Sequence, residues 1–230
     1  MKKLILLFSL VFLYSCSSDK GPQALFNGEN LEGWHIYGQA DGNYNGWTVQ
    51  QGVLFYDPVL RTSAVNANLV TNQTFENFEL SFDWMISENG NSGIFWAVIE
   101  DDSFEHPYQT GPEIQILDDN WEEYIRERGD INRAGALYNL MAPSKIVSQP
   151  AGKWNSYVLH IDHMNNEGWL IFNNERVLEF PVHGPEWENL IARSGFKDWK
   201  GFGLARRGHI SLQDHGAKVA FRNIQITVLN

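Results

Sequence analysis

The stretch Gly111-Pro112-Glu113-Ile114-Gln115-Ile116-Leu117-Asp118 sets polar residues at alternate positions of an apolar segment. In an extended strand Ile114 and Ile116 point to one face, so Glu113 and Gln115 point to the other. With the isoleucines in a core, Glu113 becomes a carboxylate on an open sheet face, able to move a proton or to hold a hydroxyl. Asp118 joins that face only if a bulge reverses the alternation after Gln115. The plain alternative is a solvated surface carboxylate. A second stretch, Gly208-His209-Ile210-Ser211-Leu212-Gln213-Asp214-His215-Gly216, puts His209, Ser211, Gln213 and His215 on one face. Two of these exchange protons near neutral pH. The bland reading there is an edge strand facing solvent.

Other polar clusters are weaker. His160, Asp162 and His163 suggest a metal site, but His163 faces away from the other two in a strand. Asp101-Asp102 and Asp118-Asp119 lack the regular spacing of a calcium loop. No metal site and no cofactor are therefore expected, although a divalent cation stays open. The chain has no phosphate loop, zinc box or serine-nucleophile elbow.

The elements that must position these residues read as strands. Phe78, Leu80, Phe82, Trp84 and Ile86 alternate with Glu79, Ser81, Asp83 and Met85, and Tyr157, Leu159 and Ile161 alternate with Ser156, His160 and Asp162. Residues 169–180 make a hairpin about Asn173-Asn174, since asparagine tolerates the positive φ of a tight turn. Apolar residues fall on odd positions at Val219 and Phe221 but on even ones from Ile224, which predicts a bulge near Arg222-Asn223. One short helix is expected from Gly184-Pro185-Glu186, with proline in its first turn and Trp187, Leu190 and Ile191 as its apolar stripe. More than ten strands with so little helix predict an all-β fold, a two-sheet antiparallel jelly-roll sandwich, with Trp34 and Trp154 in its core.

The N-terminus carries Lys2 and Lys3, an apolar run over residues 4–14 and the chain's single cysteine at Cys16. The run is too short to span a bilayer and suits a secretory signal. Leu13-Tyr14-Ser15-Cys16 reads as a lipobox, which makes Cys16 the lipidation site. The expected partition is a signal peptide over residues 1–15, a lipidated tether over 16–23 and one domain over 24–230. The protein would then be an exported bacterial lipoprotein, periplasmic or on the cell surface, held to the outer membrane through its anchor alone. Its formal charge of −11 grows more negative once Lys2 and Lys3 are removed, which argues against nucleic acid as a partner. Neutral sugars suit both that charge and the 13% aromatic content, because aromatic faces stack on the C–H faces of sugar rings.

The strand around Glu113 resembles the E-x-D-x-x-E strand of laminarinase-type retaining glycosidases. It departs from that pattern where Gln115, which cannot titrate, stands in place of the central carboxylate. Retaining hydrolysis needs two carboxyl groups ~5 Å apart. Over almost the whole mature chain the sequence resembles the 3-keto-disaccharide hydrolase family, which is related in fold to concanavalin-type lectins and glucanases. The resemblance runs through Leu25-Phe26-Asn27-Gly28, Asn91-Ser92-Gly93-Ile94-Phe95-Trp96, the Glu113 strand, Arg133-Ala134-Gly135-Ala136-Leu137-Tyr138, Pro150-Ala151-Gly152-Lys153-Trp154-Asn155, the 208–216 strand and Phe221-Arg222-Asn223-Ile224.

That resemblance implies cleavage of 3-keto mono- or disaccharide glycosides, with a sugar 3-dehydrogenase as functional partner. A ketone at C3 acidifies the C2 proton, and a group leaving from C1 is β to the resulting enolate, so one base and one electrophile suffice. Glu113 or His215 is the expected base, with Asp118 kept as a second carboxylate. Lys197, Arg133 or His209 is expected to stabilise the enolate, and Gln115 to hold a hydroxyl. Gln213 completes the polar face, and Lys197 sits on a loop able to lean over it. Trp96, Tyr138 and Trp121 are the expected stacking residues, with core packing the competing role for Trp96. A non-catalytic sugar-binding module and a laminarinase-like glycosidase acting on unoxidised glucans remain the rival readings.

Overall fold

The computed structural model describes residues 21–39, 42–64 and 67–229. The expected leader and Cys16 lie outside the described residues. Among the described residues thirteen strands follow in chain order: β1 (Gln23–Ala24), β2 (Trp34–Ile36), β3 (Trp47–Gln50), β4 (Val53–Tyr56), β5 (Leu69–Phe75), β6 (Phe78–Ile86), β7 (Asn91–Val98), β8 (Glu113–Leu117), β9 (Asn155–Asp162), β10 (Glu167–Phe172), β11 (Glu175–Phe180), β12 (Gly208–Leu212) and β13 (Val219–Val228). They form two antiparallel sheets. The larger has the order β11-β10-β9-β6-β13-β4-β3, with β1 also paired to β13, and the smaller has the order β2-β5-β12-β7-β8.

The strand period makes the core. β6 alternates buried and half-buried residues along its whole length, and its Phe82 and Trp84 meet Tyr157 and Phe172 edge-on or tilted between the sheets. From the smaller sheet Trp34, Ile36, Leu69, Ile94, Trp96, Ile114, Ile116, Ile210 and Leu212 point inward to the same cluster. Asn173 and Asn174 both adopt positive φ between β10 and β11, as a two-residue hairpin turn requires. The register of β13 against β6 shifts between Arg222 and Gln225, with Asn223 at φ 55°, so the expected bulge is present. At that point the neighbour of β13 changes from β4 to β1.

Two expectations are corrected. Among the described residues there are two α-helices rather than one: α1 (Glu122–Arg128) precedes α2 (Gly184–Ala192). In α1, Glu122 and Glu123 occupy the first turn and Arg126 and Arg128 the last, an arrangement that complements the helix dipole. Trp154 is half-buried beneath the Arg222 guanidinium, 4.0 Å from its ring, and is no part of the inter-sheet core.

The outer face of the smaller sheet carries the site. Every residue of β7 and β8 is buried, so both faces of these strands are covered. Residues 135–138 lie along the free edge of β8, with Gly135 N–H bonded to the Gln115 carbonyl and Tyr138 N–H to that of Glu113. This closes an edge that would otherwise present unpaired backbone groups.

Candidate active site

A cavity of about 320 Å³ opens on the outer face of β7, β8 and β12. That size falls within the range of small-ligand pockets. Glu113, Gln115, Asn91 and Gln213 make its floor, Asp214, His215 and Asn68 one side, and Tyr108, Tyr138, Phe196, Trp199 and Phe202 its aromatic wall. Strand alternation brings Glu113 and Gln115 here, because Ile114 and Ile116 are taken by the core.

Glu113 is only 7% exposed. It fits because Gly93 of β7 has no side chain: a Cβ there would come within 1.9 Å of Glu113 Oε1. Burial pushes the Glu113 carboxyl well above the usual carboxylate range, and a hydrogen bond from the Gln213 side chain opposes that rise. Gln115 is buried beside it. With its amide nitrogen turned toward Glu113, it donates to Oε1 at 3.2 Å and to the Ser92 carbonyl at 3.1 Å. Turned the other way, it reaches the Asn132 carbonyl at 3.3 Å and the Tyr124 hydroxyl at 3.5 Å. The first orientation suits an ionised Glu113. The second suits a protonated one, whose O–H then donates to Gln115 Oε1.

Gln213 is fixed from behind. Its N–H donates to the Gly93 carbonyl at 2.9 Å, and its carbonyl accepts from Ser92 Oγ at 2.9 Å. Its side-chain Oε1 is buried without a hydrogen-bond partner in the protein. A buried acceptor left open at a cavity floor is a place for a ligand donor. The turn that follows is held by Asp214, which pairs with Arg61 Nη1 at 3.1 Å and accepts from Ala67 N–H at 3.2 Å, leaving His215 exposed at the rim. Tyr138 stands against Phe196, and burial keeps its phenol protonated far above neutral pH.

Glu113, Gln115, Gln213, His215 and Tyr138 are thus brought together, and six other expected site residues are not. Asp118 is buried at the end of β8, where its carboxylate caps the Asn89 and Asn120 N–H groups; no parity reversal brings it beside Glu113. Arg133 is paired with Asp130 at 2.6 Å away from the cavity. Lys197 is on the loop that walls the cavity, but its side chain is exposed and does not line it. Trp96 packs in the core against Phe180, because it shares its strand face with Ile94. Trp121 packs on Tyr124, one residue behind Gln115.

His209 belongs to a different cluster. The register of β12 slips against both its neighbours between His209 and Ser211, and Ala97 on the facing strand has φ 54°. His209 Nδ1 meets the Thr71 carbonyl at 2.6 Å, and its Nε2 lies 3.8 Å from Glu100. Glu100 also bonds His35 Nε2 at 2.8 Å and accepts from Gly38 N–H at 2.7 Å. Among the described residues no group of three or more His, Cys, Asp or Glu side chains is placed to hold a metal ion. Of the earlier metal suggestion, His160 stacks on Trp169, Asp162 caps the turn at Met164 and Asn165, and His163 is buried beside His183.

Several site residues escaped the sequence reading. Tyr108, Phe196 and Trp199 come from irregular loops that carry no period. Asn91 and Gly93 lie in a segment where core and cavity claim opposite faces of an apparently uniform apolar run. Tyr124 comes from α1, whose end charges were the available signal.

Residues 21–227 match the model of the 3-keto-alpha-glucoside-1,2-lyase-like domain family. The chain is 31% identical over 234 residues to a 3-keto-disaccharide hydrolase of Bacteroides thetaiotaomicron, covering 91% of this chain and 79% of that protein. A crystal structure of a candidate glycosyl hydrolase from Parabacteroides distasonis superposes with a TM-score of 0.80 at 29% identity, over 91% of this chain and 94% of that one. A carbohydrate-binding module from Bacillus subtilis shares the fold alone, at 10% identity and a TM-score of 0.50, over 86% of this chain and 97% of that one.

Proposed function

Because the chain belongs to the 3-keto-alpha-glucoside-1,2-lyase-like family, we propose that it cleaves the glycosidic bond of sugars oxidised at C3, by elimination across C1–C2 followed by hydration. The observation that carries this reading is a lone buried carboxyl group ringed by amides. Glu113 sits among Gln115, Gln213 and Asn91, and the other acidic residue lining the cavity, Asp214, is engaged by Arg61. A double-displacement glycosidase needs two carboxyl groups at close range. A 3-keto sugar needs one base.

In this mechanism the ionised Glu113 takes the proton from C2. The electron pair of that C–H bond forms the enolate, whose oxygen at C3 is held by the protonated Tyr138 hydroxyl. Collapse of the enolate restores the ketone, forms the C1–C2 double bond and expels the group at C1, whose oxygen takes a proton from His215. In the hydration step His215 takes a proton from water as its oxygen bonds to C1, and C2 takes a proton from Glu113 after that carboxyl has exchanged with solvent, so both residues return to their starting states and the sum of the two steps is hydrolysis. Gln115 and Gln213 donate to the Glu113 carboxylate and hold it toward C2, and the open Gln213 Oε1 accepts from a sugar hydroxyl. A burial-raised carboxyl is a stronger base than an exposed one, which is what removal of a carbon-bound proton requires. That same burial favours catalysis over simple sugar binding, because a lectin gains nothing from a desolvated acid.

The reaction class that supplies such a substrate is oxidation of a sugar hydroxyl at C3 by a dehydrogenase. The lipobox at Cys16 supports an exported, membrane-anchored enzyme. The test is turnover of 3-keto-trehalose and of trehalose, followed by mass spectrometry of products, for wild type, Glu113→Gln and His215→Asn. Cleavage of the oxidised sugar alone, lost in Glu113→Gln, is expected. Undiminished turnover in both variants would sink the assignment.

A further inference from the structure

β1 decides at which end of the sandwich the chain enters. It runs antiparallel to β13 with Gln23 opposite Ile226 and Ala24 opposite Gln225, so the residues before Gln23 lead along β13 toward Val228. Val228 lies opposite Phe78, and Phe78 opposite Ile161 near the end of β9. The two sheets join at this same end, where Phe75 of β5 and Phe78 of β6 flank the turn at Glu76-Asn77 with their rings 6.4 Å apart. Other segments are tied to that turn. Asn77 accepts from His163 N–H at 2.8 Å through its side chain and from Leu229 N–H at 3.0 Å through its carbonyl. Arg207, just ahead of β12, donates to the Thr74 carbonyl and to Glu76, each at 3.3 Å.

The tips gathered here are apolar and exposed. Met164 on the turn after β9 is 71% exposed, Leu204 on the segment leading into β12 is 70% exposed, and Val228 is 40% exposed. Covering such side chains removes apolar area from water. Beside them Arg206 and Arg207 are exposed, and arginine can bury its stem while its guanidinium pairs with phosphate.

Chain length sets what reaches this end. Cys16 precedes Gly21 by five residues, at most about 18 Å of chain, whereas a domain of this size has a radius of gyration of roughly 17 Å. A lipid on Cys16 therefore brings this end of the sandwich to the bilayer, and not the opposite one. The cavity lies toward that opposite end: Asn91 opens β7, Asn68 precedes β5, and Gln213 and His215 follow β12.

We propose that the end carrying Met164, Leu204 and Val228 is laid on the lipid surface, with these side chains in the headgroup layer and Arg206 and Arg207 on its phosphates, so that the cavity is held open to the aqueous side. The inference rests on the lipobox reading above. Because the tether makes the contact intramolecular, a patch too weak to recruit the protein by itself suffices to orient it.

Val59 provides the control. It is apolar and 81% exposed, but it follows β4, whose Tyr56 lies opposite Val219 at the far end of β13. In the acylated protein Cys16 is occupied, so Met164→Cys, Leu204→Cys, Val228→Cys and Val59→Cys each offer one thiol for a bimane label. In vesicles of phosphatidylethanolamine and phosphatidylglycerol containing doxyl-labelled lipid, the first three labels are expected to be quenched and shifted to the blue. The label at position 59 is expected to be unchanged, and Arg206→Glu with Arg207→Glu to weaken the quenching at the other three. Quenching that is equal at all four positions, absent at the first three or untouched by the arginine replacements overturns the proposal. A blue shift at the first three without quenching assigns this end to a second copy of the chain and also overturns it. If the mass of the N-terminal peptide shows Cys16 without an acyl chain, the anchor reading fails. The free Cys16 thiol is then coupled to maleimide-bearing vesicles, and amide hydrogen exchange decides the face by itself: slowing at residues 163–166 and 204–207 supports it, and unchanged exchange overturns it.

Discussion

Gly93 and Glu113 occupy one space: the carboxyl group of Glu113 lies where the side chain of residue 93 would be, 1.9 Å from an ideal Cβ at that position. The pairing of β7 with β8, Gly93 opposite Gln115 and Phe95 opposite Glu113, sets this relationship. Gly93→Ala is therefore expected to keep the sheet and displace the acid. Overpacking of this kind costs roughly 1–3 kcal/mol of stability. A displacement of about 1 Å at the reacting group costs on the order of 100-fold in rate. A folded Gly93→Ala protein with wild-type kcat/KM would contradict the placement of Glu113.

Gln213 donates to Glu113 and so holds its pKa down against burial. Gln213→Leu removes that donor, and the pKa of Glu113 moves further up. The base is then ionised only at higher pH, so the acid limb of the kcat/KM profile shifts to the alkaline side. Activity near neutral pH is expected to fall on the order of tenfold or more, within the scale of general-base effects, and to recover partly as pH rises. A uniform loss with no movement of the limb would show that Gln213 acts by another route.

Burial of Glu113 also predicts a cost to stability with a definite sign. A carboxyl whose folded pKa lies above its unfolded value binds more protons in the native state, so stability falls as pH rises from about the unfolded value of 4.5 through the folded one. Glu113→Gln removes the charge and keeps the shape. It is expected to melt higher than wild type at pH 8, with about 2–4 °C for each kcal/mol relieved, and to match wild type below pH 4.5. Thermal denaturation at the two pH values reads this directly. The variant is expected to lose 10²–10⁴-fold in turnover at the same time.

The His35–Glu100 pair titrates in the opposite sense. Its hydrogen bond to Glu100 raises His35 above 6.5 against the effect of burial. Burial would raise Glu100, but the bonds from His35 and from Gly38 N–H outweigh it and hold the carboxyl below 4.5. The His35 contribution is complete below pH 6.5 and is lost as pH climbs through its raised pKa. The Glu100 contribution is complete above pH 4.5 and is lost as pH falls through its lowered pKa. Glu100→Gln is thus expected to cost most between about pH 4.5 and 6.5, where both contributions are present. The scale is about 1 kcal/mol, or 2–4 °C in Tm. A loss of the same size at pH 9 would contradict the ion-pair account.

Much of this architecture was legible because strands write their faces in a period of two. β6, the Asn173-Asn174 hairpin and the bulge at Arg222-Asn223 all follow from that alternation, as does the outward direction of Glu113 and Gln115. The reading lost its hold where the period is broken or absent. Strict alternation puts His209 on one face with Gln213, yet the slip between His209 and Ser211 hands it to Glu100 and His35. Trp96 was a stacking candidate with core packing as its competing role, and the core claims its face of β7, leaving Phe95 toward the cavity. Tyr108 and Trp199 meet only because two loops far apart in sequence are tied through Thr110 and Gly203. Such a tertiary contact leaves no local trace in the chain.

The central claim is that Glu113 breaks the C2–H bond of a C3-oxidised sugar. The most direct measurement is the mass of the 3-keto-glucose released from a 3-keto-disaccharide deuterated at C2 of the oxidised ring. Elimination and hydration predict that the deuterium is lost to solvent with each turnover by wild type, and that Glu113→Gln releases almost no product. Product that keeps its deuterium at C2 would mean that the bond at C1 is cleaved by displacement, and would contradict the mechanism.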